Sequence, residues 1–202
     1  MTSDPARAEP NAGKAAAVAF PVIALIILIL FGISYTITFL LGLPQSLSLP
    51  TLVRVIGGGT VLLVGLAVMG WLFRYRGPAT VIVSTYITFT KIFRRTSISE
   101  MSGRTEPLMV GGPQKYVRHP LYAGVVVMVL GWAIFTSITF IFVAALVVFL
   151  WFRLLLIPFE ERELNALFGE EYKRYSETTP TMIPFTARKK HQSAIDSQAT
   201  ES

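Results

Sequence analysis

Long apolar stretches separated by short polar ones set the pattern of this chain. Residues 15–53 contain no charged residue, and within them the stretch from Val18 to Leu43 is long enough to cross a bilayer as one helix. It is too long for the apolar region of a signal peptide, so we expect it to be retained. A second apolar stretch covers Thr51 to Phe73. Both stretches predict membrane-spanning helices.

The stretch from Pro120 to Phe159 is too long to cross the membrane only once. A single helix of this length would measure about 60 Å, twice the thickness of a bilayer core. The polar pair Thr136-Ser137 lies near its middle and predicts a turn between two spans. The apolar stretch from Gly77 to Thr90 is too short to cross and has basic residues on both sides, which predicts an interfacial or buried segment.

The distribution of charge predicts the orientation of these spans. The predicted turns at residues 44–50 and 136–137 are uncharged, and only Arg54 lies near them. Lys and Arg concentrate towards the other face, where they normally hold a segment in the cytosol. We therefore expect both termini in the cytosol and an all-α fold. The expected protein is a polytopic membrane protein with about four transmembrane helices, a C-terminal helical hairpin and a cytosolic amphipathic helix.

The same pattern divides the chain into four parts. The amphipathic stretch from Glu160 to Tyr175 is interrupted by Gly169 and carries apolar residues at helical spacing. The four parts are a disordered tail at residues 1–14, the N-terminal transmembrane helices with the interfacial segment at 15–95, a C-terminal core at 96–186, and a mobile basic tail at 187–202.

Composition narrows the classes of function. Of the 202 residues, 52% are hydrophobic and 15% charged, which is typical of a single integral membrane domain. The absence of cysteine excludes disulfides, thiolate catalysis and Cys-ligated metals, and we expect no metal. The net charge of +6 could indicate a nucleic-acid partner. Because the basic residues flank apolar spans, membrane lipids are the expected partner and nucleic acid is not.

Polar residues at the start of the third apolar stretch carry the first chemical signal. Pro120 is suited to the first position of a helix, which places His119 near its N-cap. The helix dipole and the Arg118 side chain would then favour a carboxylate or a phosphate at this end. The alternative is that Arg118 anchors the topology and His119 is an interfacial cap.

The predicted hairpin brings an acidic group to the same membrane face. Glu160 and Glu161 follow the fourth span, so they should lie near Arg118 and His119. A cationic end opposite an anionic end suits a zwitterionic ligand, and S-adenosylmethionine is one. The alternative is that these acids form the solvated first turn of a helix.

These residues resemble a known superfamily, that of the isoprenylcysteine carboxyl methyltransferases and phospholipid methyltransferases. The resemblance covers roughly residues 106–185 and rests on a series of short motifs. They are Arg118-His119-Pro120-x-Tyr122-x-Gly124, Glu160-Glu161-x-x-Leu164, Phe168-Gly169-x-Glu171-Tyr172-x-x-Tyr175 and the ending Pro180-Thr181-Met182-Ile183-Pro184-Phe185.

The resemblance implies an integral membrane methyltransferase that binds S-adenosyl-L-methionine on its cytosolic side, with residues 96–186 as the methyltransferase core. The implied acceptor is lipid-like, most directly the carboxylate of an isoprenylcysteine-like substrate. The implied cofactor-binding residues are Leu108, Met109, Gln114, His119, Pro120, Leu121, Tyr122 and Glu160.

Two positions depart from the superfamily pattern. Gln114 stands where many members have tyrosine, and Leu156 stands where the isoprenylcysteine enzymes have an arginine near the substrate. Arg153 lies one turn earlier and is the candidate replacement. It can neutralise an acidic headgroup or extend to the membrane interface. We therefore take Arg153 and Glu161 as the candidate catalytic residues.

Other functions stay open at this point. A carboxylate acceptor requires positioning rather than a base, whereas N-methylation of an aminophospholipid requires Glu161 or His119 to take up a proton. Membrane sterol-type reductases, which use NADPH, share a similar His-Pro and Tyr pattern. A non-enzymatic membrane protein is the third hypothesis.

Overall fold

The computed structural model describes residues 12–94, 108–184 and 186. Within these ranges the regular structure is helical, and the seven α-helices are labelled α1 to α7. They are α1 Ala12–Leu40, α2 Gly59–Arg76, α3 Pro78–Arg94, α4 Pro120–Thr136, α5 Thr139–Trp151, α6 Ile157–Phe168 and α7 Glu170–Thr178. A π-helical turn precedes α2 at Val53–Gly58, another joins α5 to α6 at Phe152–Leu156, and a 3₁₀ turn covers Gly112–Lys115.

The predicted all-α class is confirmed over the part of the chain that the structure describes. Three helical stretches there are long and apolar enough to cross a membrane: Gly13–Leu40, Val53–Arg76 and Thr139–Phe168. The helix α4 is apolar but shorter. The count of four spans therefore stays a prediction. Helix α1 begins at Ala12, inside the predicted tail at 1–14, and the predicted tail at 187–202 lies outside the described residues.

The apolar helices form a ring. Around it, α2 packs on α4, α4 on α5, α5 on α1, α1 on α3, and α3 on α2. The short segment predicted from Gly77 to Thr90 is α3, and it is a member of this ring. Of the two predicted options for this segment, interfacial or buried, its packing beside the other helices favours the buried one.

Two predicted turns meet at one end of the ring. Helix α4 ends at Thr136, Ser137 adopts a left-handed conformation with φ of 58°, and α5 begins at Thr139. The backbone N–H of Leu47 donates to the carbonyl of Ser137 at 2.8 Å, and that of Thr139 donates to Gln45 at 3.0 Å. The turns at 44–50 and 136–137 therefore share one end of the molecule, as their lack of charge predicts.

Glycines bring α2 and its preceding turn into backbone contact with α4. A Cβ added at Gly58 would lie 2.4 Å from the backbone nitrogen of Phe135, and one added at Gly131 would lie 2.4 Å from that of Leu62. Each glycine therefore lets the facing backbone approach to a distance that any side chain would prevent. Gly58, the middle residue of the run Gly57-Gly58-Gly59, therefore serves helix packing.

The acidic residues after the fourth apolar stretch do not begin a new helix, which corrects the predicted boundary at Glu160. The helix from Thr139 to Phe168 is continuous, although its hydrogen bonding widens at Phe152–Leu156. Pro158 has no N–H to donate, so the helix must adjust just before it, and a π-helical turn is one such adjustment. Gly169, with φ of 50°, separates α6 from α7 as predicted.

Adjacent glycines allow a matched test of the α2–α4 contact. We expect Gly58→Ala to lower the unfolding temperature in detergent, because overpacking costs about 1–3 kcal/mol. Gly59→Ala is the control, since a Cβ there meets nothing within 4 Å and alanine favours the helix. Equal unfolding temperatures for the two variants would contradict the close contact.

Candidate active site

A polar cavity lies where α2, α3, α4, α6 and α7 meet. It is open on one side and combines cationic, acidic and aromatic side chains. All eight residues predicted to bind a cofactor line it: Leu108, Met109, Gln114, His119, Pro120, Leu121, Tyr122 and Glu160. The structure thus brings together residues from three separate stretches of the sequence.

Ion pairs link the start of α4 to α6 beside this cavity. Arg118 Nη2 lies 3.0 Å from Glu161 Oε1, and His119 Nδ1 lies 3.3 Å from Glu160 Oε2. His119 Nε2 is a further 3.5 Å from Glu161 Oε1. The cationic and acidic groups that the sequence predicts to be neighbours are therefore in contact.

Of the two acids, Glu160 makes more polar contacts than Glu161. Its Oε1 accepts hydrogen bonds from the Tyr122 hydroxyl at 2.7 Å and from Thr88 Oγ1 at 3.3 Å. The Tyr122 ring also stacks between the His119 ring at 5.6 Å and the Phe152 ring at 4.5 Å, measured between centroids. Tyr122 and Glu160 therefore hold each other in place at the floor of the cavity.

A C-terminal segment fixes the backbone around His119. The N–H of Arg118 donates to the carbonyl of Pro180 at 2.8 Å, and the N–H of His119 donates to that of Thr181 at 3.0 Å. The Arg118 guanidinium also donates to the Thr181 hydroxyl at 2.8 Å. These bonds leave Arg118 and His119 little freedom, so their side chains enter the site already oriented.

Two tyrosines of α7 complete the polar wall. The Tyr175 hydroxyl donates to the carbonyl of Gln114 at 2.7 Å. Burial raises the pKa of Tyr175 to about 12, with Arg118 acting in the opposite direction, and burial also raises the pKa of Tyr172. Both hydroxyls are therefore protonated near neutral pH and act in the site as hydrogen-bond donors.

The protonation of His119 follows from opposing effects. Burial alone lowers its pKa, but hydrogen bonds and charge from Glu160 and Glu161 outweigh burial, so the pKa is raised above 6.5. A protonated His119 and Arg118 together balance the two carboxylates. The buried cluster is then neutral, which is the state that a low-dielectric site favours.

Some buried polar atoms of the cavity lining have no hydrogen-bond partner among the described residues. They include Gln114 Oε1, Arg118 Nε and the Tyr172 hydroxyl oxygen. Buried polar groups are nearly always paired in folded proteins. An acceptor from Gln114 and donors from Arg118 and Tyr172 are therefore available to a ligand that has both polarities.

The two predicted catalytic residues are not among those that line the polar cavity. Glu161 faces a shallow surface cavity on the other side of Arg118, and Arg153 is exposed on the π-helical turn. Arg153 lines none of the three cavities described for this structure. Leu156, at the position of the superfamily arginine, is buried against Tyr122 in the apolar core.

Helix α3 contributes residues to which the sequence assigns no role. Ser84 and Thr85 line the polar cavity, and Thr88 donates to Glu160. These hydroxyls recur at helical spacing within an otherwise apolar segment. That periodic polar stripe is the signal by which the sequence could have indicated them.

An apolar cavity adjoins the polar one inside the helix ring. Its volume is about 440 Å³, and among the described residues that line it none is charged. The two cavities share a wall of four residues from α3 and α4: Val81, Thr85, Leu121 and Tyr122. A ligand in one cavity would therefore lie next to a ligand in the other.

The helical ring with a charged cavity at one end defines a helical integral membrane protein with a polar site. The family model for phospholipid methyltransferases matches residues 55–171 of the chain. The chain belongs to this family of membrane methyltransferases. The matched range contains the polar pairs at 118–119 and 160–161, and it ends in α7.

Similar curated proteins carry one activity in their names. The chain is 29% identical over 143 residues to the methanethiol S-methyltransferase of Crocosphaera subtropica, covering 65% of this chain and 49% of that protein. It is 32% identical over 128 residues to methanethiol S-methyltransferase 2 of Bradyrhizobium diazoefficiens, covering 61% and 46%. The chain thus spans about half the length of these relatives. No solved structure gives a significant match.

The charge of His119 can be measured directly. We expect its NMR titration midpoint in detergent to lie above 6.5, and Glu160→Gln to lower it by removing one carboxylate. The chain has two histidines, so His191→Gln leaves a single signal. Because the folded-state pKa is raised, the stability from this cluster is full below pH 6.5 and is lost as the pH rises through the folded-state pKa. A midpoint at or below 6.5 would contradict the ion-pair assignment.

Proposed function

We propose that this chain transfers the methyl group of S-adenosyl-L-methionine to a lipid-like acceptor at the boundary between its two cavities. The observation that carries the proposal is the shared wall, since it joins a polar cavity with charged residues to an uncharged apolar one. A soluble charged cofactor and a membrane-soluble acceptor would each find a suitable environment there. Family membership supports the methyl-transfer chemistry.

The polar groups of this cavity match those of S-adenosylmethionine, which would extend through the open side because the cavity volume is about 110 Å³. Arg118 Nε and the Tyr172 hydroxyl offer donors to a carboxylate, and Gln114 Oε1 offers an acceptor to an amine or a hydroxyl. Apolar side chains in the same cavity, Leu108 and Met109 among them, suit an adenine ring. When bound, the cofactor supplies an electrophilic methyl group on a sulfonium.

The apolar cavity favours an acceptor much larger than methanethiol. A dry cavity of about 150 Å³ accommodates one benzene molecule, so 440 Å³ offers room for roughly three such groups. Methanethiol would leave nearly all of this space empty. We therefore propose that the acceptor carries a long apolar group.

We propose a thiol as the reacting group, with a carboxylate as the second candidate. The names of the relatives favour sulfur, and an uncharged thiol suits a wall whose polar members are Thr85 and Tyr122. The superfamily motifs favour the carboxylate of an isoprenylcysteine-like acceptor. Such a carboxylate would approach Glu160, and Arg153, the predicted cation for it, is exposed. N-methylation of an aminophospholipid is the further alternative.

The chain's own residues would position the acceptor and remove its proton. Tyr122 lines both cavities, so its ring can hold the acceptor beside the cofactor while apolar neighbours exclude water. Its hydroxyl, bonded to Glu160, gives the proton of a thiol a hydrogen-bonded route away from the shared wall. The predicted roles of Arg153 and Glu161 become less direct: Glu161 would orient Arg118 and His119.

Membrane placement follows the same proposal. We propose four spans, formed by α1, α2 with its π-helical turn, α4, and α5 continuing towards α6. The polar cavity and both termini would then face the cytosol, opposite the paired turns at 44–50 and 136–137.

Glu160 provides the test of the cofactor site. We expect Glu160→Gln to weaken S-adenosylmethionine binding about 10- to 100-fold, because a charged hydrogen-bond acceptor for His119 and Tyr122 is lost. Tyr122→Phe, which keeps the ring stacking, should weaken binding less. Glu177→Gln, on the exposed surface of α7, is the control. Calorimetry in detergent with S-adenosylmethionine and, separately, NADPH decides the cofactor class; binding of NADPH alone would overturn the proposal.

The same wild-type protein then identifies the reacting group. Labelled S-adenosylmethionine is supplied in nanodiscs with dodecanethiol, dodecanoic acid or dodecylamine, which differ only in the reacting group. Label in the thiol supports the first candidate, and label in the acid or the amine supports the corresponding alternative. If the cofactor binds but none of these probes nor methanethiol is methylated, the acceptor class is wrong.

The proposed topology predicts opposite labelling at the two ends of the ring. The chain has no native cysteine, and Ser46 and Glu177 are both exposed. In sealed vesicles, Ser46→Cys and Glu177→Cys should react with impermeant reagents from opposite sides of the membrane. Glu177→Cys should be accessible from the side that faces the cytosol in the cell. Reaction of both from one side would exclude the four-span arrangement.

A further inference from the structure

We propose that the apolar cavity measures the chain of the acceptor and that Phe31 and Trp132 set the limit. This inference rests on the proposed function and specifies its substrate: a single apolar chain of about twelve carbons.

The cavity is a slot that follows one face of α4. Its lining residues there include Tyr122, Val125, Val129 and Trp132, which repeat at intervals of three or four. Residues from Ala19 to Phe31 line the facing side on α1 with the same periodicity. The slot therefore runs parallel to both helices, from the shared wall at Tyr122 towards the opposite end of the ring.

Two aromatic rings lie at the end of the slot farthest from Tyr122 along α1 and α4. The Phe31 and Trp132 rings lie 6.0 Å apart between centroids and tilt towards each other at 33°. Behind them, Phe140 packs edge-on against Phe31 at 6.4 Å and against Tyr35 at 5.8 Å. Phe31 and Trp132 line the cavity, whereas Tyr35 and Phe140 lie outside its lining. Phe31 and Trp132 therefore limit the length of the slot, and Tyr35 and Phe140 support them from behind.

The separation of the two ends gives the length of the chain. Ten residues of α4 separate Tyr122 from Trp132, which corresponds to about 15 Å. An extended chain advances about 1.2 Å per bond, so about twelve bonds span this distance. The cavity volume of about 440 Å³ agrees with a chain of this size. Helix α3 lines only the Tyr122 end, through residues such as Thr85 and Thr88, so the reacting group belongs there.

A boundary lipid is the competing occupant, but the shared wall favours the acceptor. An acyl tail filling the slot would gain nothing from contact with the polar cavity. A molecule with one reactive end and one apolar chain would place its reactive end at the polar cavity and its chain in the slot, on the two sides of Tyr122.

Chain-length profiles test the proposal with two variants that act in opposite directions. In nanodiscs we measure methyl transfer to n-alkanethiols of increasing length and, independently of turnover, the rise in unfolding temperature that each thiol produces. For the wild type we expect methyl transfer to fall about tenfold beyond roughly twelve carbons and the rise in unfolding temperature to become smaller, because a longer chain overpacks the far end of the slot. Trp132→Ala should move this limit to longer chains.

Val129→Trp should move the limit the other way. Val129 lies one helical turn nearer the site, so the limit should shorten by about four carbons. Leu130→Ala and Leu130→Trp are the controls, since Leu130 is exposed on the same helix and does not line the slot. Profiles identical in the wild type and in both slot variants would overturn the proposal, as would a boundary lipid that no thiol displaces. If the thiols raise the unfolding temperature up to a limiting chain length but none is methylated, the slot binds such chains and the proposed function is wrong.

Discussion

The structure depends on the ion-paired cluster that joins the start of α4 to α6. Arg118, His119, Glu160 and Glu161 lie next to apolar helices, where an unpaired charge would be costly. Each therefore requires the others. Because Tyr122 bonds to Glu160 and stacks on His119, the cluster also fixes a side chain that faces both cavities. A folding constraint and a functional arrangement thus coincide at the same contacts.

The register of this cluster depends on the irregular turn before α6. An α-helix rotates by about 100° per residue, so one extra residue in a turn moves every following side chain to another face. The π-helical turn at Phe152–Leu156 lies only a few residues before Glu160. Without it, Glu160 and Glu161 would leave the side of the helix that meets α4. The turn also accommodates Pro158, which explains why the proline is tolerated inside a continuous helix.

Local features of the fold and site could be predicted from the sequence, whereas contacts between distant helices could not. The break at Thr136-Ser137 is visible as a polar interruption, and from it the meeting of His119 with Glu160 follows. Leu108 and Gln114 were predicted as site residues only because the resemblance to the superfamily implied them. The bond from Thr88 to Glu160 depends on how α3 lies in the ring, which periodicity does not determine. Predicting a separate helix from Glu160 was wrong because the polar composition changes there while the backbone continues.

The unequal packing of the ring explains why one cavity exists and where it lies. On one side of α4, Gly131 and Gly58 draw α2 into backbone contact and leave no space. On the other side, α4 faces α1 with large side chains, among them Trp132, whose ring contacts that of Phe31. A helix that is tightly packed on one face and spaced by rings on the other encloses a slot along its length. The same asymmetry therefore produces both the rigidity that keeps Tyr122 in position and the space that an acceptor chain needs.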